Sequence, residues 1–309
     1  MPLTADAQRL IDGIAADMKL PMHTSSVGEL RASYAARMTA PTTEIHSVRD
    51  VVVPSAAGGV PVRVYRPTDE ESLPVVMWLH SGGCVFGGLD QNSEYLRKLS
   101  LAAGVVVVSV DYRLAPEHPH PAALEDCRIV WDWLVSGPPE VPADVTRAVV
   151  AGESAGGTLT FALTQQLRDS AGSLPVAQVS FYGAAEMRVS NPEQRCLIAS
   201  PEDCEWFWDL YAPDPQSRQF PDVSPGLARD LTGLPPTFVV TAEVDPTRDA
   251  TEAYAQRLAA AGVDVNLMRY EGVMHGFATM LGALPQARNV FDRTVAFLAP
   301  VLASPRAGT

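Results

Sequence analysis

Residues 148–157 read Ala148-Val149-Val150-Ala151-Gly152-Glu153-Ser154-Ala155-Gly156-Gly157, and the apolar residues Leu159, Phe161 and Leu163 follow. A buried strand therefore runs into G-x-S-x-G and out into a helix, which is the layout of a nucleophile elbow. Ser154 would sit on a turn too tight for side chains two positions to either side. Gly152 and Gly156 remove those side chains. The serine hydroxyl is then lifted clear of the sheet, and the N–H of Ala155 at the new helix start faces the place where an oxyanion would form. The five-residue pattern alone arises often by chance. Its weight here comes from the strand before it and the helix after it.

Working outward, the run Val75-Val76-Met77-Trp78-Leu79 leads into His80-Ser81-Gly82-Gly83-Cys84-Val85-Phe86-Gly87-Gly88. Glycines let a backbone approach a substrate carbonyl closely, so the N–H groups of Gly82 and Gly83 are candidates to join Ala155 as an oxyanion hole. A flexible glycine loop is the plainer reading, and His80 itself reads as a structural histidine. Past the next apolar runs come Thr241-Ala242-Glu243-Val244-Asp245-Pro246-Thr247-Arg248-Asp249 and Glu271-Gly272-Val273-Met274-His275-Gly276-Phe277. Both lie just beyond strand ends, where ligands and catalytic groups collect in open α/β sheets. Neutral His275 is the candidate general base for Ser154, with Asp245 holding its ring in the productive tautomer. Asp249 competes for the acid role, with Glu243 third. A carboxylate one turn into a helix is often purely structural. His23 and His46 precede the sheet, and His118 and His120 sit in a proline-rich turn, so His275 is the one histidine placed like a base. No metal-ligand cluster such as H-E-x-x-H occurs.

Between residues 44 and 270, short β-branched runs alternate with helical or turn-rich stretches, as a largely parallel sheet covered by helices requires. Eight strands are expected near 44–54, 60–66, 74–80, 105–111, 148–153, 176–182, 236–242 and 263–270, the first two forming an antiparallel hairpin through residues 56–59. Helical spacing is clearest at 4–18, 26–38, 121–135, 155–169, 248–261 and 286–302. Residues 1–42 and 186–232 fit no strand and helix alternation. We read both as a cap on a catalytic domain spanning 43–309. The second holds Trp206, Phe207, Trp208 and Tyr211, which read equally as a lid or as ordinary helix core. Trp206 and Tyr211, with Tyr182 at the end of the sixth strand and Phe277 beside His275, are the candidate substrate-binding residues.

A chain of 309 residues that is 47% hydrophobic and 19% charged can bury one large core. Its net charge of −13 repels phosphate backbones and anionic lipid heads, which argues against nucleic acid as a partner. Lys19 and Lys98 are the only lysines, so no lysine-rich run reverses that locally. Cys84, Cys127, Cys196 and Cys204 contain no C-x-x-C pair, and reduced thiols in a cytoplasmic protein are expected. The first twenty residues lack the apolar core of a secretory signal, and the apolar stretch around 101–110 is too short for a bilayer span. No membrane association is expected.

With these motifs in view, the chain resembles the hormone-sensitive lipase family of microbial esterases and lipases over roughly residues 44–300. Asp111-Tyr112-Arg113-Leu114-Ala115-Pro116-Glu117, followed by Pro119, Pro121 and Ala122, is similar to the family's D-Y-R-L-A-P-E-x-x-x-P-A segment. Asp245-Pro246-Thr247-Arg248-Asp249 is similar to its D-P-L-R-D element, and His275-Gly276-Phe277 to its H-G-F. The order Ser154, Asp245, His275 is that of α/β-hydrolases. The resemblance implies an N-terminal helical cap over an eight-stranded sheet, a homodimer by analogy, and cofactor-free hydrolysis of short- to medium-chain acyl esters through an acyl-enzyme. An amidase or lactonase could use the same triad, but ester cleavage is the easier reaction. A small-molecule-binding protein on this scaffold is the rival from another class. The plant gibberellin receptors resemble the same family but lack the catalytic histidine, which is present here. One position departs from the pattern: the family's H-G-G-G is His80-Ser81-Gly82-Gly83 here. Ser81 removes the first glycine's freedom, which bears on the loop's shape and on acyl specificity.

Overall fold

Strands form at the eight expected places: β1 (Ser47–Val53), β2 (Val60–Arg66), β3 (Pro74–Leu79), β4 (Val106–Val110), β5 (Asp144–Glu153), β6 (Ala177–Phe181), β7 (Thr237–Val244) and β8 (Val265–Met274). The computed structural model describes residues 3–17, 20–56, 58–194 and 198–303, so Lys19, Ala57 and Cys196 lie outside it. The strands join one sheet in the order β1-β2-β4-β3-β5-β6-β7-β8. β1 and β2 form the antiparallel hairpin, β2 also runs antiparallel to β4, and every later pairing is parallel.

The helices are α1 (Ala5–Asp17), α2 (Val27–Ala36), α3 (Ser93–Ala103), α4 (Ala122–Val135), α5 (Ala155–Asp169), α6 (Pro201–Tyr211), α7 (Arg248–Ala260) and α8 (Pro285–Ala303). Strand β3 shows how they sandwich the sheet. All six of its residues are buried, and successive side chains point to opposite faces. Val75, Met77 and Leu79 pack into a core layer with Leu124 and Trp131 of α4 and Leu159 and Leu163 of α5. Val76 and Trp78 enter a second layer with Leu96 and Leu99 of α3 and Val290 and Leu298 of α8. A strand buried on both faces has no polar alternation to display, which is why it reads as a continuous apolar run.

Helix α3 was not among the expected helices. It begins in a polar stretch and ends where Gly104 takes up left-handed backbone (φ 62°), turning the chain straight into β4. Helix α6 lies in the segment that the sequence sets apart at 186–232. Ser200 and Asp203 cap it reciprocally, and Pro201 occupies its first turn. The Asp203 carboxylate also accepts from the backbone N–H and ring Nδ1 of His23, both at 2.8 Å. The early segment and the α6 segment are thereby fastened together, although 180 residues separate the partners. Among the described residues no helix is long and apolar enough to cross a membrane.

Candidate active site

Ser154 occupies the turn between β5 and α5 with φ 55° and ψ −118°, a backbone region that costs a residue with a side chain of order 1–3 kcal/mol. Its surroundings fix it there. The Ser154 N–H donates to the Phe181 carbonyl at 2.8 Å, and its own carbonyl accepts from Thr158 N–H at 3.0 Å. A Cβ on Gly152 would collide with the Gly156 carbonyl, and one on Gly156 with the Leu79 carbonyl. The two glycines are therefore a packing requirement of the turn. They also bring β3, and the loop that leaves it, against the start of α5.

Asp245 directly follows β7 and His275 directly follows β8, and these two strands are parallel neighbours. The pairing sets the acid beside the base. His275 Nδ1 lies 2.7 Å from Asp245 Oδ2, and Nε2 lies 2.7 Å from Ser154 Oγ. A carboxylate only accepts, so Nδ1 carries the ring proton and Nε2 is left to accept from the serine hydroxyl. The second carboxylate oxygen of Asp245 accepts from both N–H and Oγ1–H of Thr247 at 2.8 Å, which fixes the acid in turn. Burial disfavours the Asp245 charge, but His275 and the Thr247 bonds outweigh it and hold this carboxyl below its ordinary value. Burial likewise disfavours the His275 cation. The Asp245 charge, the hydrogen bond to it and, more weakly, the Glu153 charge prevail, so His275 titrates above the ordinary imidazole value.

The competing carboxylates lie elsewhere. Asp249 is half exposed and pairs with its neighbour Arg248, and Glu243 accepts from Gly272 N–H at 2.6 Å. His80 is buried and stacked on the Tyr112 ring, and desolvation pushes its pKa down to about 4, so it stays neutral in a structural role.

Gly82, Gly83 and Ala155 line one cavity of about 390 Å³ together with Ser154 and His275. That volume is in the range of small-molecule sites. Gly82 (φ 120°) and Gly83 (φ 63°) both lie in the left-handed region, and their N–H groups enter no backbone hydrogen bond among the described residues. The cavity wall is mostly apolar. It includes Ile14, Met22 and Tyr34 from the early segment, Leu159 and Ala162 of α5, and Phe207, Trp208 and Tyr211 of α6.

Of the four expected substrate-binding residues, Tyr211 lines this cavity and three do not. Trp206 lies on the far face of α6, in a separate surface hollow beside His23 and Glu202. Tyr182 and Phe277 are fully buried behind His275, their ring centroids 5.8 Å apart. Tyr182 stacks obliquely on His275 at 4.8 Å and donates its hydroxyl hydrogen to Glu153 at 2.6 Å. Phe207 and Trp208 take the places expected for Trp206. The helical period held that signal, because 204, 207, 208 and 211 fall on one stripe and 206 on the opposite side. Glu153 is a further residue whose role the sequence reading left unassigned. It is buried, accepts from Tyr182, Asn92 and Thr279, and is held above its ordinary pKa by desolvation against those bonds. Cys84 and Cys204 also reach the cavity, but burial pushes both thiols up, so neither competes with Ser154 as a nucleophile.

Comparison with known proteins agrees with this fold. A family model described as alpha/beta hydrolase fold matches residues 76–279. An esterase of Mycobacterium tuberculosis, LipI, is 34% identical, with 97% of this chain and 98% of that one covered. An ethyl acetate hydrolase of Pseudomonas putida is 33% identical over 92% of this chain and 93% of its own. Among solved structures, a hyperthermophilic esterase from the archaeon Pyrobaculum calidifontis superposes with a TM-score of 0.91 at 34% identity, covering 98% of this chain and all of that one.

Proposed function

This chain belongs to the alpha/beta hydrolase fold family, in its hormone-sensitive-lipase-like branch, and within it we propose that Ser154, His275 and Asp245 are the catalytic triad of a serine carboxylesterase. Ester hydrolysis is the activity its relatives carry in their names, and the chain is an ester hydrolase. The observation that carries the residue assignment is the unbroken relay Ser154 Oγ, His275, Asp245, with both links at 2.7 Å and its Ser154 and His275 members lining a cavity.

In this reading Ser154 Oγ attacks the ester carbonyl as His275 Nε2 takes its proton. The carbonyl oxygen becomes an oxyanion, received by the N–H groups of Gly82, Gly83 and Ala155. The intermediate collapses, His275 returns the proton to the departing alkoxide, and the acyl group stays on Ser154. Water then enters. His275 removes its proton, a second tetrahedral intermediate forms, and its collapse frees the acid and restores the serine.

Residues 1–42 and 186–232 act as the cap in this reading, supported by the His23–Asp203 link and by the cavity walls that both segments contribute. The modest, largely apolar cavity supports a neutral substrate with a short- to medium-length acyl chain. The free thiols of Cys84, Cys127 and Cys204 support a reducing, cytoplasmic setting. The position of β8 at the end of the sheet supports a homodimer that meets there.

The test is hydrolysis of p-nitrophenyl esters from acetate to palmitate, with Ser154→Ala beside the wild type. Turnover should peak at short chains and vanish in the variant. Near wild-type activity in Ser154→Ala would overturn the assignment, and silence of the wild type across the series would overturn the substrate class.

A further inference from the structure

The loop that carries Gly82 and Gly83 is tightly wound. Gly82 carbonyl accepts from the N–H groups of both Val85 (2.9 Å) and Phe86 (3.0 Å), and Cys84, which has a side chain, is also in the left-handed region (φ 57°). Gly82 and Gly83 adopt that region without steric cost, but Cys84 does not, and its neighbours must hold it there. Two things press on the loop. From one side comes α6, whose Phe207 ring would lie 2.5 Å from a Cβ added to Gly83. From the other comes α2, one face of which presents Arg31 and Tyr34.

Arg31 makes four hydrogen bonds, and none is to its own helix. Its Nε donates to the Val85 carbonyl at 2.8 Å, and one terminal nitrogen donates to the Ala115 carbonyl at 2.8 Å. The two terminal nitrogens also grip the Glu117 carboxylate at 2.8 and 2.7 Å. Ala115 N–H in turn donates to the Cys84 carbonyl at 2.8 Å. The loop at 82–86 is thus stitched to the 114–117 segment once directly and once through Arg31. One helical turn on, Tyr34 packs edge-on against Phe86 with ring centroids 4.7 Å apart.

We propose that Arg31 is a positioning residue of the oxyanion hole: from the early helical segment it fixes the carbonyl of Val85, and so sets the direction of the Gly82 and Gly83 N–H groups. The inference rests on the ester-hydrolase reading of that loop, and it gives α2 a part in rate as well as in covering the cavity. The planar fork matters more than the charge, because two of the four bonds go to neutral carbonyls and the Glu117 partner is half exposed. Misplaced donors weaken the transition state more than the bound ester, so the effect belongs in kcat.

Arg31→Lys keeps a cation near Glu117 but cannot serve both carbonyls, and Glu117→Gln spares the carbonyl bonds while removing the ion pair. With all variants confirmed folded at the assay temperature by circular dichroism, Arg31→Lys should lower kcat on p-nitrophenyl butyrate by about tenfold to a hundredfold with KM within about twofold. Its inhibition constant for a trifluoromethyl ketone, whose serine adduct places an oxyanion in the same hole, should rise by the same factor. Glu117→Gln should stay within about threefold of wild type. The proposal is overturned by an Arg31→Lys kcat near wild type, by a loss that appears in KM alone, or by a Glu117→Gln loss as large as that of Arg31→Lys. None of these results touches the triad, which stands or falls with Ser154→Ala.

Discussion

The two halves of this site are put together differently. Ser154, Asp245 and His275 stand at the ends of β5, β7 and β8, each within one residue of a strand whose register is fixed by its neighbours. Their mutual distances follow from backbone pairing. The opposite wall comes from α1, α2 and α6, and it is assembled by side chains reaching between segments far apart in the chain: Arg31 to Val85, His23 to Asp203, Tyr34 to Phe86 and Phe86 to Phe207. The strand half fixes what chemistry is done. The helical half shapes the cavity in which it is done.

Asp245→Asn probes the strand half hardest. It should lower kcat by about 10⁴-fold, because the ring loses the acceptor that sets its tautomer. The same change carries a sign in pH. His275 must be neutral to act, and the Asp245 charge holds its pKa above the ordinary imidazole value, so the wild-type acid limb of kcat/KM lies above that value. With the charge gone, desolvation dominates and the limb moves to lower pH in the residual activity. Asp249→Asn, at a half-exposed surface pair, should leave both the rate and the pH profile close to wild type. Equal losses in the two variants would break the assignment of the acid.

Gly83→Ala tests the seam between the halves. The new methyl meets the Phe207 ring at a position with φ 63°, and the displaced loop should cost about 10²- to 10³-fold in kcat, comparable to removing an oxyanion donor. The smallest effect belongs to the helical half alone. Phe207→Ala should leave the acetate ester within about tenfold of wild type and shift the chain-length optimum upward, as space opens in the cavity wall. Trp206→Ala, one residue away but on the far face of α6, should leave the acyl profile unchanged. A profile that responded to Trp206 and not to Phe207 would reverse the reading of that wall.

The same division explains what could be read from the sequence. The strand half is spelled in short contiguous runs, since a strand, a turn and one functional residue occupy about ten positions. Ser154, Asp245 and His275 could therefore be located, and the geometry brings them together. The helical half depends on contacts across long separations, which leave no local trace. Tyr182 at the end of the sixth strand and Phe277 beside His275 lie near the site along the chain, but both side chains are buried in the core behind His275. Trp206 falls on the opposite side of α6 from the stripe that Phe207, Trp208 and Tyr211 share, and only that stripe faces the cavity. Helix α3 leaves little trace in the spacing because its start is polar and its buried apolar residues, Tyr95, Leu96 and Leu99, are few.

The strand order also sets how the site ages under stress. Ser154 follows β5, which is flanked by β3 and β6 in the middle of the sheet, whereas His275 follows β8, which lies at one end of the sheet and pairs only with β7 within the chain. Edge strands open at lower free energy than central ones. A small stitch guards that margin, where Thr4 N–H donates to the Gly272 carbonyl at 2.8 Å. On warming, loss of activity should therefore precede loss of the fold, and hydrogen exchange that reaches β8 before β5 is the measurement that checks it.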